Sequence, residues 1–555
     1  MTLDHLTRAP FALDPAGIAW VRQIMDSLSL PDKVAQVFVL ISMGDDPAAL
    51  APIKAFRPGG VTRFFGPDIA AEHALLTDLQ ATAGIPLLIS ADLEGSRMSM
   101  AGGTPVLNPL GLAAIDDVAV TRETARIMAT EAVALGVNWS FTPVLDINAA
   151  WRSAIVATRG FGRNVETIKR HALAQIEVFQ AHGLAATAKH WPGEGFDDRD
   201  QHLVTTVNPL SMAEWEATFG SLYRAAIDAG VLSIMSAHIA LPAFVREQAP
   251  DAGVEAFRPA SVSHALNIDL LRGRLGFNGV IVSDASVMAG LGAWSGLTDA
   301  KVEIIANGCD VILFSFNPAA EHQAVLDAVG SGRIGMARLD DAVSRILGLK
   351  AALGLHQGRG LPQAGGLAQI GTAANRASAA TTFRQAPTLV KDTQTLFPLN
   401  PVTHRRVLVI SGGIVSPIHP GTTAFILPDL LAARGFAVTL HVKGTRVDPA
   451  EFDLVLYLFG EETLLTRSRI FIDWAALMGG FEGAMSRFWH DVPTAMISFG
   501  YPYYLYDAPR VPTYVNAYST LDEVQSAVVD LMLGNADWNK SSPIDPFCGL
   551  EDARY

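Results

Sequence analysis

Cysteine is almost absent from this 555-residue chain, with Cys309 inside an apolar run and Cys548 near the C-terminus. Two such distant thiols make neither a disulfide framework nor a metal-ligand spacing. Basic charge is also short. The 41 Lys and Arg stand against 55 Asp and Glu, a formal net charge of −14, and this argues against nucleic acid or an anionic membrane as partner, since both bind a basic face. No uninterrupted apolar run reaches the roughly 20 residues of a membrane helix. The N-terminus, MTLDHLTRAPFALDPAG, lacks a basic stretch leading into an apolar one, so a cytoplasmic location is the default expectation. Charged residues make up only 17% of the chain and apolar ones 50%, which describes a compact globular protein with too many residues for one ordinary core.

The most unusual stretch present is Lys189 to His202, KHWPGEGFDDRDQH, which gathers two His, one Lys and four carboxylates behind the small apolar run GLAATA. Pro192, Gly193 and Gly195 stop regular structure there, so the polar groups stand where a buried strand gives way to a loop. Short apolar runs recur between amphipathic stretches. Eight are candidate strands: Val34 to Ile41, Gly60 to Phe65, Pro86 to Ala91, Val137 to Leu145, Ala185 to Ala188, Val231 to Ser236, Gly279 to Ser283 and Asp310 to Phe314. Helical patterns such as Val118 to Leu135, Val165 to His182 and Met212 to Ala229 separate them. This alternation predicts a (β/α)8 TIM-like barrel over residues 1–355.

Ionisable residues then fall in register. Asp92, Asp146, Lys189 with His190, His238 and Asp284 each end one of five successive strands. A closed barrel turns all those ends toward one mouth. Residues 356–385 read as a Gly-rich linker and connecting helix, and residues 386–555 as a C-terminal α/β sandwich domain with strands at Arg406 to Ile410, Leu454 to Phe459 and Thr494 to Ser498. The turn Ser411-Gly412-Gly413 lacks G-x-G-x-x-G spacing, so no dinucleotide site is expected there.

A mouth of carboxylates and imidazoles, without Cys or H-E-x-x-H, suits acid/base and nucleophilic chemistry on a neutral polar ligand. His190, His202 and Asp200 match no specific metal motif, and neither metal nor cofactor is expected. Glycoside cleavage fits, because it needs an anion at an oxocarbenium-like centre and a proton donor for the leaving oxygen. Asp284, a lone carboxylate ending the run GVIVSD, suits the first part. His202 suits the second: Asp200 lies two residues before it, and on an extended loop both side chains would share one side.

These residues resemble glycoside hydrolase family 3, in particular its β-N-acetylglucosaminidase branch. KHWPGEGFDDRDQH is similar to that branch's K-H-F-P-G-H-G-x4-D-S-H loop. ADLEGSR at 91–97, GVNWSFTPVLDIN at 136–148, TRGFGRN at 158–164, LGFNGVIVSD at 275–284 and SFGYPYYLYDAPRVPTYVNAYS at 498–519 match in order. The resemblance implies an exo-acting retaining double displacement, with Asp284 as nucleophile and His202, paired with Asp200, as acid and base. Asp92, Arg159, Lys189 and His190 would hold the sugar, and His238 is placed with them. A small carbohydrate, chitin- or peptidoglycan-derived or another β-glycoside, is the expected partner. Met100 stands where the branch carries an Arg, Ser96 replaces a Gly, Glu194 a His and Phe196 an Asp. These departures leave open a β-glucosidase-type specificity or transfer to phosphate. A sugar-binding protein without turnover is the alternative from another class.

Overall fold

The computed structural model describes residues 2–44, 46–416 and 421–555. Eight short parallel strands form a ring: β1 (Phe38–Ser42), β2 (Gly60–Arg63), β3 (Leu88–Ala91), β4 (Trp139–Ser140), β5 (Thr187–Trp191), β6 (Ser233–Ser236), β7 (Val280–Ser283) and β8 (Ile312–Leu313). One hydrogen-bonded run is β8-β1-β2-β3-β4 and the other β5-β6-β7. Parallel bridges at Trp139–Ala185 and Val282–Val311 join the two runs and close the barrel. Val39, Val61, Ile89, Ile234 and Ile281 are buried, as expected of strands covered on both faces.

The outer helices begin and end on local signals. In α1 (Val118–Leu135) the Asp117 side chain accepts the Ala119 N–H, and Gly136 closes the helix at φ 104. Asn164 caps α2 (Val165–Ala181) in the same way. Met212 to Asp228 is helical throughout, with a π turn at Glu216–Gly220.

Two expected strands change. Leu30–Gln36 is a helix capped by Ser29, so the first strand begins at Phe38 rather than Val34. The fourth is regular only at Trp139–Ser140, because Pro143 has no N–H to offer the ladder. Its continuation still runs beside β5 through Lys189 N–H to the Pro143 carbonyl at 3.1 Å and Leu145 N–H to the Lys189 carbonyl at 2.6 Å.

After α3 (Met336–Ala352) the Gly-rich segment lies on the barrel's lower end rather than swinging free. The Asn138 amide, just before β4, donates to the Gly360 carbonyl, and Gly366 packs so closely on the Ala134 backbone that a Cβ would stand 2.4 Å from its carbonyl oxygen. Helix α4 (Ala373–Phe383) then leads into the second sheet, built from β9 (Thr388–Asp392), β10 (Arg406–Val415), β11 (Thr422–Thr423), β12 (Ala437–Leu440), β13 (Leu454–Gly460), β14 (Thr494–Ser498) and β15 (Thr513–Asn516). The order is β9-β15-β14-β13-β10-β11, with β12 also beside β10. Only the β9–β15 and β10–β11 pairs are antiparallel. Ser411-Gly412-Gly413 forms a bulge inside β10, where the register with β13 shifts. One continuous apolar core runs through barrel and sandwich, and among the described residues no helix is long and apolar enough to cross a membrane.

Candidate active site

The C-terminal ends of β3 to β7 bring the ionisable residues together. β3 and β7 lie four places apart in the ring of eight, so Asp92 and Asp284 face each other across the mouth.

Lys189 and His190, next to each other in β5, serve two linked clusters. The buried Lys189 ammonium lies 2.8 Å from Asp92 Oδ1 and 2.7 Å from Glu94 Oε1. Arg159 forks onto Glu94, with Nε donating to Oε2 at 2.8 Å and Nη2 to Oε1 at 2.9 Å. Burial alone would raise the Glu94 pKa, but the two cations more than offset this and hold it well below the usual carboxylate range. Burial likewise works against the charges of Arg159 and Lys189. The acidic neighbours win, with Glu94 foremost for Arg159 and Asp92 and Glu94 for Lys189, and both cations are raised. His190 belongs to the second cluster: its Nδ1 lies 2.5 Å from Asp146 Oδ2, and its Nε2 stands 3.3 Å from Arg159 Nη2.

The loop after β5 folds back on the loop after β4. Gly195, at φ +113, sits where a Cβ would come within 1.9 Å of the Ile147 carbonyl oxygen, so only glycine fits. This approach aligns Glu194 O with the Ile147 N–H at 3.1 Å and Gly195 O with the Ala150 N–H at 2.7 Å. Further along, Asp200 Oδ1 accepts both the His202 backbone N–H and, at 2.7 Å, Nδ1–H of its ring. The pair forms through a turn, not the extended loop expected, since the Asp200 carbonyl also accepts from Leu203 and Val204. The second Asp200 oxygen accepts the backbone N–H of Thr466, from the sandwich domain, at 2.9 Å. His202 keeps 23% of its side chain exposed, and no described residue bonds its Nε2.

Asp284 follows β7 and is 9% exposed. Burial would raise its pKa, but His190, His238 and His202 outweigh that and keep the carboxylate ionised. Its Oδ1 accepts the Ala285 N–H at 2.7 Å. His238 was expected at the sugar. Instead it supports this loop: Nε2 donates to the Ala285 carbonyl at 3.0 Å, Nδ1 meets Ser261 Oγ at 2.8 Å, and burial lowers its pKa.

Sequence reading passed over Glu94, although it stands in the quoted ADLEGSR, and gave Asp146 no task. It also missed Glu462, a buried sandwich-domain carboxylate whose Oε1 accepts from Ser96 Oγ and from the N–H and hydroxyl of Thr520, each at 2.7 Å. No local signal marks Glu462 or Thr466, because their barrel partners Ser96 and Asp200 lie hundreds of residues away.

Donor atoms of Asp146, His190 and Glu194 lie within 4.8 Å of one another. Both Asp146 oxygens are already taken: Oδ1 accepts the N–H groups of His190 and Glu194, and Oδ2 takes the His190 ring. Beyond Asp92 a cavity of about 820 Å³ opens between Phe64, Arg97, Met98 and the sandwich residues Ile414 and Thr422. It meets the charged cluster only at Asp92.

The departures from the family loop have structural places. Met100 is buried in the core and offers no cation. Phe196 packs edge-on against Phe219. Ser96 occupies a left-handed position at φ 49, which suits the glycine it replaces, and its hydroxyl bonds Glu462 and Ser519.

Comparison with known proteins gives the same picture. The sequence model described as "Glycosyl hydrolase family 3 N terminal domain" matches residues 59–349. A β-N-acetylglucosaminidase/β-glucosidase of Cellulomonas fimi is 40% identical over 99% of this chain and 99% of its own. Among solved structures, β-glucoside phosphorylase BglX is similar at TM-score 0.93 and 32% identity, covering both chains completely. A family 3 β-N-acetylglucosaminidase from Paenibacillus sp. str. FPU-7 is similar at TM-score 0.79 and 25% identity, over 94% of this chain and all of that one.

Proposed function

This chain belongs to glycosyl hydrolase family 3 and is a glycoside hydrolase, and from that premise we propose that it removes one terminal sugar from a β-glycoside by a retaining double displacement. The observation that carries the reading is the pairing of an ionised, nearly buried Asp284 with a His202 whose Nδ1 is held by Asp200 while no described residue bonds its Nε2. Asp284 attacks the anomeric carbon as the leaving oxygen takes the Nε2 proton. The neutral His202 then draws a proton from water, and the oxygen so activated displaces Asp284 from the opposite face, the one the leaving group left. Asp92, Lys189, Arg159 and His190 lie where hydroxyls of the sugar would meet charged partners. We take β-N-acetylglucosaminides as the first substrate class.

A second reading, transfer of the glycosyl unit to phosphate, is favoured by one feature of this site. The acid/base group is an imidazole, so an anionic acceptor meets no charge repulsion from it. The name of BglX, similar over the whole chain, points the same way. β-Glucoside specificity is supported by the buried Met100 and by the double name of the Cellulomonas relative.

The test uses aryl β-N-acetylglucosaminides and β-glucosides with good and poor leaving groups, each with and without phosphate. Asp284→Ala reduces turnover to background in a folded protein. His202→Ala lowers glycosylation of poor leaving groups by about 10²–10³-fold and leaves that of dinitrophenyl glycosides nearly intact, since these need little protonation. An equal fall on both would remove His202 from the acid role.

A further inference from the structure

A buried bridge joins the His190 cluster to the Asp284 loop, and the reaction just described leaves its central residue without a task. Asp146 holds the His190 ring and, through Oδ1, accepts the Glu194 N–H at 3.0 Å. Glu194 Oε2 accepts from Gln201 Nε2 at 2.9 Å, and Gln201 Oε1 accepts the His238 N–H at 3.0 Å. His238 donates to the Ala285 carbonyl, and Ala285 donates to Asp284. The amide of Gln201 is oriented unambiguously, because a backbone N–H requires its oxygen on the His238 side. Hydrogen bonds thus run unbroken from β5 to the carboxylate after β7, with Glu194 and Gln201 at the centre, 3% and 1% exposed.

Glu194 lacks what an ionised carboxylate needs. Its Oε1 is shielded from solvent and has no hydrogen-bond partner among the described residues. The groups facing it are Asp146, Asp200 and Asp284, the buried phenol of Tyr223, the His190 ring and Arg159. Arg159, the one permanent cation among these, is forked onto Glu94, and the His190 ring is held by Asp146. A charged Oε1 here would face three carboxylates with no donor, which is far costlier than a neutral acid.

We propose that Glu194 is a positioning residue that works as a neutral carboxylic acid, holding Gln201, and through it His238 and Asp284, in register with the His190 cluster. The inference rests on the reading of Asp284 as nucleophile. Burial first, then the charge of Asp146, pushes the Glu194 pKa well above its ordinary value, in agreement with the geometry. When Glu194 loses its proton, the charged oxygen must find water, the Gln201 link opens, and Asp284 loses its support.

The test measures kcat and KM against pH for wild type, Glu194→Gln and Glu194→Ala on a dinitrophenyl β-glycoside. Glu194→Gln, an uncharged isostere, keeps kcat within about threefold of wild type near pH 6 and moves the alkaline fall in kcat up by about one pH unit or more. Glu194→Ala loses about tenfold or more at every pH. The wild type also shows the infrared C=O stretch of a buried carboxylic acid, missing from Glu194→Gln. Its loss must coincide with the alkaline fall in kcat, a comparison that needs no variant beyond a folded reference. An unshifted alkaline limb in Glu194→Gln, or a loss as deep as that of Glu194→Ala, overturns the proposal while leaving the glycosidase reading in place. No turnover by the wild type on any glycoside overturns that reading instead.

Discussion

Glu94 shows how much a single side chain can organise. It joins Lys189 from β5 to Arg159 from the loop after β4, and all three are buried. Removing its charge leaves two cations sharing Asp92. If the cluster holds the sugar as proposed, Glu94→Gln raises KM about tenfold or more, because the misplaced cations would no longer meet it, and it lowers the melting temperature measurably. Steady-state kinetics beside a thermal melt check both parts; an unchanged KM would remove the cluster from sugar binding. Ser96 makes the complementary point: its left-handed φ costs about 1 kcal/mol or more in a residue with a Cβ, and its two hydroxyl bonds to the sandwich offset that cost.

At the scale of elements, the loops above the strands hold the candidate site, and the opposite end is packed core. Lys350 of α3 lies there, fully buried, with its ammonium on Gln36 Oε1 at 2.9 Å. Desolvation pushes its pKa down to about 7. The unfolded chain, with a lysine near 10.4, holds more protons than the folded one between those values, so folding becomes more favourable as pH rises through that window. Below it both states carry the charge and the folded state bears the whole penalty. Lys350→Met should thus stabilise the protein by about 2 kcal/mol near pH 6, allowing for the unpartnered Gln36, with the gain vanishing toward pH 10. Melting curves across that range decide the matter, and a gain that does not depend on pH would show that Lys350 is not the titrating group.

At the scale of the whole molecule, the sandwich domain reaches the mouth of the barrel. The segment from Glu462 to Thr466 leaves β13, anchors its carboxylate on Ser96 and Thr520, and presents the Thr466 N–H to Asp200. The Thr463 hydroxyl and Leu464 N–H bond the Ala154 carbonyl of the barrel, and Tyr501 bonds the Trp151 carbonyl. Glu462→Ala loosens this anchor. It is expected to destabilise the protein by about 3 kcal/mol and to lower kcat on poor leaving groups about tenfold more than on dinitrophenyl glycosides, because Asp200 then holds His202 less well. Equal loss on both substrates would limit the domain to support.

Local pattern was enough for the barrel, since eight apolar runs separated by amphipathic helices leave few other ways to bury their surface, and for the strand ends that bear Asp92, Lys189, His190 and Asp284. It also placed Asp200 beside His202, two residues apart, though not the turn that joins them. It missed Glu94 as the centre of the charged cluster and put His238 at the sugar, because sequence position says which strand end a side chain leaves from but not what it meets on arrival. Glu462, Thr466 and the link from Gln201 to His238 were decided by tertiary structure alone. Hydrogen bonds and ion pairs reach only a few ångströms, and only the packed chain brings such distant residues that close.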